Sequence, residues 1–415
     1  MKRLRLVFGL SLALMLGAFS ASASADCRIA VVTDPHYIAP ALTDGGPCWE
    51  RVLDAGDSKF MPYSEEILSC LIEELLNADG KPDALLLTGD LTFNGAVMSH
   101  EALTEKLRPL LAAGIPILVL TGNHDVYNVN AARFEGESFT RVPFATTELF
   151  RQIYAEFGFD DALSVAPDSL SYVYELKEGL RVLMLDFNTL DHFCGVSEET
   201  LAWTEEQLRE AEKAGAEVIA AGHQNLYQHS LFRDGYVIAG ADRLADLLRS
   251  YGVRIFLSGH LHIQHIRTER NLTEIASSAL CSWPCQYGML TSGDGTWSYR
   301  TSRLDMAAWA ERHGRTEPVF RDFQKVAAEY LTAHSKITLP PGAAEADRER
   351  LLSWMRELNL AYFSGDLRHV EADDPDGSLA AAWLGPKDLT AAYVASVLEE
   401  LGCDYTSWTE SPQSE

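Results

Sequence analysis

Asp34 and His36 stand two residues apart behind the short apolar run "RIAVV", and similar polar clusters recur down the chain. "DALLL" leads to Gly89-Asp90, "IPILVL" to Gly122-Asn123-His124-Asp125, "EVIAA" to Gly222-His223, and "RIFLS" to Gly259-His260 and His262. Asp, Asn and His offer hard or borderline donor atoms, and a set without thiolate suits Zn, Mn or Fe better than a soft metal. The number of donors points to two ions. Two ions about 3.5–4 Å apart need one bridging carboxylate and terminal ligands on each side; Asp90 is the natural bridge. Such a pair lowers the pKa of a shared water toward about 7, which supplies hydroxide as a nucleophile. It also neutralises negative charge that builds on a substrate. Taken alone, Asp34-Pro35-His36 reads more readily as a turn with an exposed histidine; the other four loops favour the site.

The elements that must hold these loops follow from the same runs. From Arg28 to about Arg303, short apolar runs alternate with amphipathic stretches, the pattern of an α/β fold built in layers. Rigid strands aim side chains from the loops at their carboxyl ends into one crevice, and that is where the polar clusters lie. Helical periodicity covers Tyr63–Leu76, Glu101–Leu111, Thr147–Phe157, Glu198–Ala214 and Ala241–Tyr251. Strand-like runs cover Leu170–Leu176, Arg181–Leu185, Ile263–Thr268, Leu272–Ala276, Tyr287–Leu290 and Thr296–Arg300. After about Asp305 the pattern is helical, over Val319–Ala333, Glu345–Phe363 and Lys387–Leu401, punctuated by Pro340-Pro341-Gly342 and by Asp373–Gly377.

In this order the five loops resemble those of the calcineurin-like metallophosphoesterases, over about Arg28 to Arg303. The resemblance implies a four-layer αββα sandwich followed by a small all-helical C-terminal domain. It implies that Asp34, His36 and His262 hold one metal, that Asn123, His223 and His260 hold the other, and that Asp90 bridges them. His124 would then face the phosphate, as acid or charge stabiliser, and Asp125 would orient its imidazole. The ions would be divalent or trivalent, with Fe, Mn and Zn all open.

A closer resemblance lies in "GNHDVYNVNAARFEG", "TTELFRQIYAEFGFDDALS", "SLSYVYEL", "RVLMLD" and "GHLHIQ" with the helical tail. These stretches are similar to the bacterial exported class III cyclic-nucleotide phosphodiesterases. That implies hydrolysis of a phosphodiester, a 3',5'- or 2',3'-cyclic nucleotide, with Asn128, Arg133, Tyr227 and His229 as candidate substrate contacts. Phosphomonoesterase or nucleotidase activity is the enzymatic alternative, and a secreted binding protein without catalysis is a third reading. His192, His229 and His265 fall outside the motifs and read as surface or supporting residues.

Bulk properties narrow the partners. Lys2, Arg3 and Arg5 precede the apolar run Leu6–Phe19, and Ala23-Ser24-Ala25 supplies small residues before a cut, so residues 1–25 read as an export signal with Asp26 first in the mature chain. The expected organisation is signal 1–25, phosphoesterase domain 26–304 and helical domain 305–415, in an exported protein of the periplasm, cell envelope or medium. No later stretch is apolar enough to span a bilayer. The net charge is -26, and losing three basic residues with the signal makes it -29. Long nucleic acid and anionic membranes need basic surface, so a small phosphate ester held by cations is the expected partner. Of seven cysteines, Cys281 and Cys285 in "CSWPC" are the nearest pair, open to bridging or to life as buried thiols.

Overall fold

The computed structural model describes residues 26–410 apart from 57, 191–192, 294, 336, 371–373 and 375–376. The expected signal segment and His192 lie outside the described residues.

The apolar runs, rich in Val, Ile and Leu, form strands buried on both faces, as parallel strands must be. In the first sheet Cys27–Val32, Ala84–Leu87 and Ile117–Val119 run parallel, and Gln286–Gly293, Thr296–Arg303 and Ser407–Thr409 extend it antiparallel beyond Cys27–Val32. In the second, Leu180–Leu185, Glu217–Gly222, Ile255–Ser258 and Leu272–Ala276 run parallel. Tyr172–Lys177 and Ser164–Val165 lie antiparallel on one edge and His265–Glu269 on the other.

Side chains alternate across a strand, and here the alternation assigns the layers. Val182, Met184, Ile219, Ala221, Ile255 and Leu257 pack into one core with the first sheet and the helices Ser64–Asn77 and Val97–Ala112. Their neighbours Leu183, Leu185, Ala220 and Phe256 join a second core with Trp203 and Leu208 of helix Glu198–Ala214 and Leu244 and Leu248 of helix Ala241–Ser250. The order is helix, sheet, sheet, helix: the four-layer αββα sandwich. Helix Glu198–Ala214 matches its sequence expectation residue for residue because both ends are signalled. Ser197 accepts from the Thr200 backbone nitrogen, and Gly215 closes the helix at φ 67°.

The tail differs from expectation in two respects. Met306–Arg312, Pro318–Arg321 and Phe323–His334 put Trp309, Phe320, Phe323 and Ala327 into the main core, while Arg348–Ser364, Ser378–Leu384 and Leu389–Leu398 build a core of their own around Trp354, Leu358, Tyr362 and Trp383. The change at residue 305 is thus one of secondary structure, with no gap in packing. Nor is the tail helical throughout: Ser407–Thr409 pairs with Ser298–Arg300, and Glu410 accepts from the Trp297 backbone nitrogen at 3.2 Å and pairs with Arg254. Three residues are too few to show a period in sequence. Cys281 and Cys285 in "CSWPC" are not bridged in the structure, and burial pushes the Cys285 thiol up.

Candidate metal centre

All seven expected donors converge. Each follows a parallel strand: Asp34 and His36 after Cys27–Val32, Asp90 after Ala84–Leu87, Asn123 after Ile117–Val119, His223 at the end of Glu217–Gly222, His260 and His262 after Ile255–Ser258. Donor atoms of Asp34, His36, Asp90 and His262 all lie within 4.8 Å of one another, as do those of Asp90, His223 and His260. Asp90 belongs to both groups. Asn123 joins the second, its Oδ1 3.2 Å from His223 Nε2.

Sharp backbone turns aim these side chains. Asp34, His36, Asp90, His260 and His262 have φ of 51°, 41°, 48°, 70° and 60°, in the left-handed region that L-residues seldom occupy. Five such residues cost on the order of 1–3 kcal/mol each, and strain of this kind collects where function demands a geometry. Pro35 lies between two of them, so "TDPH" is a turn and a donor pair at once. The loops also press together. A Cβ on Gly122 would lie 2.1 Å from Asp90 Oδ1, and one on Gly259 would lie 1.8 Å from Thr33 Oγ1. Glycine in these motifs is a requirement of close approach.

The donors fit a cation. Asp34 Oδ2 accepts from Thr33 Oγ1 at 2.5 Å and from the His260 backbone nitrogen at 3.0 Å, whereas its Oδ1 is buried without a hydrogen-bond partner. That orphaned oxygen lies 3.2 Å from His262 Nε2 and 3.6 Å from His36 Nε2; the two imidazole nitrogens are 3.2 Å apart, and His36 Nε2 is 3.7 Å from Asp90 Oδ2. Donors at about 2.1 Å from one tetrahedral ion stand about 3.4 Å apart, so this spacing is that of a ligand shell. Carbonyls fix the other imidazole nitrogens. His223 Nδ1 lies 2.9 Å from Thr88 O and His260 Nε2 lies 2.9 Å from Gly235 O, which leaves His223 Nε2 and His260 Nδ1 for the ion.

Electrostatics agree. Burial alone would push Asp90 up, yet His223 beside it holds it well below the usual carboxylate range. Burial opposes Asp34 too, and His262 and His223 bring it down. His36 is kept neutral by burial, and His260 is lowered to about 4 by burial and then by His223. His223 is the exception: burial pulls it down, but Asp90 and Asp34 carry it up to about 9. The charge of two buried carboxylates thus strengthens the pull of this imidazole lone pair on a proton, and a cation would compete for the same lone pair.

His124 stands beside the donors, and its imidazole is not held as expected. Its Nε2 lies 3.9 Å from Asp90 Oδ2, its ring meets that of His36 edge to face at 4.8 Å, and its backbone nitrogen donates to Asp90 Oδ1 at 2.8 Å. The imidazole is anchored by Phe93 O, 2.6 Å from Nδ1. Asp125 does not orient it. The Asp125 carboxylate, pushed up to about 7 by burial and then by Asp90, accepts from the backbone nitrogens of Leu91, Thr92 and Gly122 and from Thr92 Oγ1. It ties the second loop to the third.

The expected substrate contacts fare differently. Asn128 spends its amide on the loop, Nδ2 donating to His124 O and Oδ1 accepting from the Asn130 nitrogen. Arg133 lies half-buried in the hairpin strand Ala132–Glu135. Tyr227 and His229 are buried structural groups: the Tyr227 hydroxyl bonds Arg249, and His229 sits between Glu274 at 2.9 Å and His265 at 2.8 Å. Sequence reasoning missed the carbonyls of Thr88, Phe93 and Gly235, because a backbone acceptor leaves no mark on residue identity. It also missed Tyr236, whose ring lies 5.0 Å from that of His260.

A sandwich with polar loops at its carboxyl edge and a buried Asp/His cluster is a metallophosphoesterase architecture. Residues 27–264 match the calcineurin-like phosphoesterase family, and the chain belongs to it. Among curated relatives, a probable cyclic nucleotide phosphodiesterase of Rhodococcus erythropolis is 28% identical over 224 residues, 52% of this chain and 62% of that protein. A cAMP/cGMP dual specificity phosphodiesterase of Mycobacterium tuberculosis is 26% identical over 256 residues, 60% of this chain and 68% of that one. Among solved structures, a dimetal phosphatase from Danio rerio aligns with TM-score 0.49 at 12% identity, covering 67% of this chain and 96% of that one.

Proposed function

We propose that this protein is an exported phosphodiesterase with a two-metal centre, and that cyclic nucleotides are its substrates. The observation that carries the reading is Asp90, the one carboxylate common to both donor groups. Asp34, His36 and His262 would hold one ion, Asn123, His223 and His260 the other, with Asp90 between them. When bound, the ions supply an acidified water as nucleophile and neutralise charge on the phosphate. A carbonyl can only accept, so His124 Nδ1 carries a hydrogen toward Phe93 O and the reactive position is Nε2. Protonated there, His124 donates to the leaving oxygen. Asp125 clamps the loops that carry Asp90 and Asn123. The names of the two curated relatives support a cyclic nucleotide, and the pattern of residues 1–25 supports export.

The test compares rates on 3',5'- and 2',3'-cyclic nucleotides, nucleoside monophosphates and bis(p-nitrophenyl) phosphate, before and after dialysis against chelator. Cyclic nucleotides should be preferred, with activity lost on dialysis and restored by Mn. A strong preference for monophosphates would overturn the substrate, and indifference to chelator would overturn the metal centre. For export, N-terminal sequencing of protein from the cell envelope or medium should begin at Asp26.

A further inference from the structure

A cavity of ≈ 450 Å³ lies where the helical tail meets the metal loops. Two residues join it to the centre. Leu261, which lines it, stands between His260 and His262 in the chain, and Tyr236, which also lines it, packs its ring against His260. The far wall comes from the tail: Asn359, Tyr362 and Phe363 of helix Arg348–Ser364 and Tyr393 of helix Leu389–Leu398.

The lining specifies a chemistry. None of the described lining residues is Asp, Glu, Lys or Arg, and the lining imidazole of His334 is stacked on Tyr330, although the chain carries 94 charged residues, 34 basic and 60 acidic, so this space suits a neutral group. Phe232, Tyr236, Tyr362 and Phe363 offer ring faces, and the Phe232 and Tyr236 rings lie 5.7 Å apart. Asn359 is 5% exposed; its Oδ1 accepts from the Tyr393 hydroxyl at 2.8 Å, and its amide nitrogen is a hydrogen-bond donor at the cavity wall. Aromatic faces with a few polar groups in a space of roughly 300–1,000 Å³ are what a flat heteroaromatic ring needs, whereas an alkyl chain has no use for the donors.

We propose that this cavity receives the base of a nucleotide substrate, so that the helical tail sets specificity for the metal centre. The proposal rests on the phosphodiesterase reading above and deepens it. The tail then supplies a wall of the active site, and Phe232, Phe363 and Asn359 are specificity residues with no part in the chemistry.

Two measurements on the full-length protein test it. The first is calorimetric binding of adenosine, which has a base and no phosphate, against methyl riboside and an alkyl phosphodiester. Adenosine should bind, and Phe363→Ala and Asn359→Leu should each weaken it about tenfold, the scale of one lost stacking platform. The second is kcat/KM for a cyclic nucleotide against the base-free cyclic phosphate of methyl riboside. Phe232→Ala, at a 41% exposed position, should raise KM for the nucleotide about tenfold at unchanged kcat and leave the base-free ester unaffected. Equal effects on both esters, no adenosine binding, or tighter binding of the alkyl diester would overturn the cavity assignment while leaving the phosphodiesterase reading intact. Adenosine binding in a protein that cleaves no phosphate ester would do the reverse.

Discussion

The carboxylate of Asp125 accepts two hydrogen bonds from Thr92, from its backbone nitrogen and from its hydroxyl, both at 2.9 Å. Asp125 is fully buried, and it also receives the nitrogens of Leu91 and Gly122. The variant Asp125→Asn turns an amide NH2 toward some of these donors and leaves at least one buried N–H unpaired, at about 1–3 kcal/mol. Thermal unfolding should show Tm lower by several degrees, together with weaker retention of metal. An unchanged Tm with reduced kcat alone would contradict the clamp.

Gly122 tolerates no side chain. The Cβ of Gly122→Ala would meet Asp90 Oδ1 at 2.1 Å and the Asp90 nitrogen at 2.3 Å, and backbone cannot yield as a flexible side chain does. Elemental analysis of any soluble Gly122→Ala protein should find less than half the wild-type metal. Wild-type loading would mean that the loop can move away from Asp90.

Sharing of Asp90 makes a prediction in stoichiometry. Asp90→Ala should lose both ions, whereas His262→Ala and His223→Ala should each keep one, as measured by metal content per chain after gel filtration. One ion in the Asp90 variant would show two independent sites.

His124→Ala should lower kcat by about 10²–10⁴, the usual contribution of a positioned acid or base, with metal content unchanged. Loss of an ion in that variant would make His124 a ligand. Phe93 reaches His124 through its carbonyl while its ring packs against Trp49 and Phe134, so Phe93→Leu should leave kcat within a few-fold of wild type.

His100 sets a pH dependence away from the ions. It is fully buried between the Tyr154 hydroxyl at 3.0 Å and the Asp125 carbonyl at 2.9 Å, and burial lowers it from 6.5 to about 4. The folded value lies below the unfolded one, so the unfolded chain binds the extra proton between them. Stability from this group is complete above pH 6.5 and falls as pH drops toward 4. Each pH unit in that window is worth about 1.4 kcal/mol, so the loss is on the order of 3 kcal/mol. Urea unfolding of wild type and His100→Phe at pH 4.5 and 7.0 should show a shallower pH dependence in the variant. Parallel curves would reject the assignment.

The donors were legible in sequence because each is a side chain whose type is its chemistry, set after a run whose burial fixes a strand. What sequence could not show was how the imidazoles are held. His124 and Asp125 are neighbours in the chain, and adjacency invites a pairing. The backbone turns instead so that the carboxylate is used up on amides from two loops. Tyr227 and His229 misled for a related reason: they follow a ligand motif closely, but Glu274, carried in on the strand Leu272–Ala276, draws them into the protein. Strand Ser407–Thr409 and the shared packing of the first tail helices depend on partners more than a hundred residues away, which no local pattern encodes.

That last strand gives the order of synthesis a meaning. The outer edge of the first sheet is finished only when residues 407–410 leave the ribosome, more than a hundred residues after the strand they pair with. Until then Thr296–Arg303 presents unpaired amides and carbonyls, a template for joining a neighbouring chain. A stop codon near residue 305 would therefore yield an adhesive sheet edge in place of a trimmed catalytic unit.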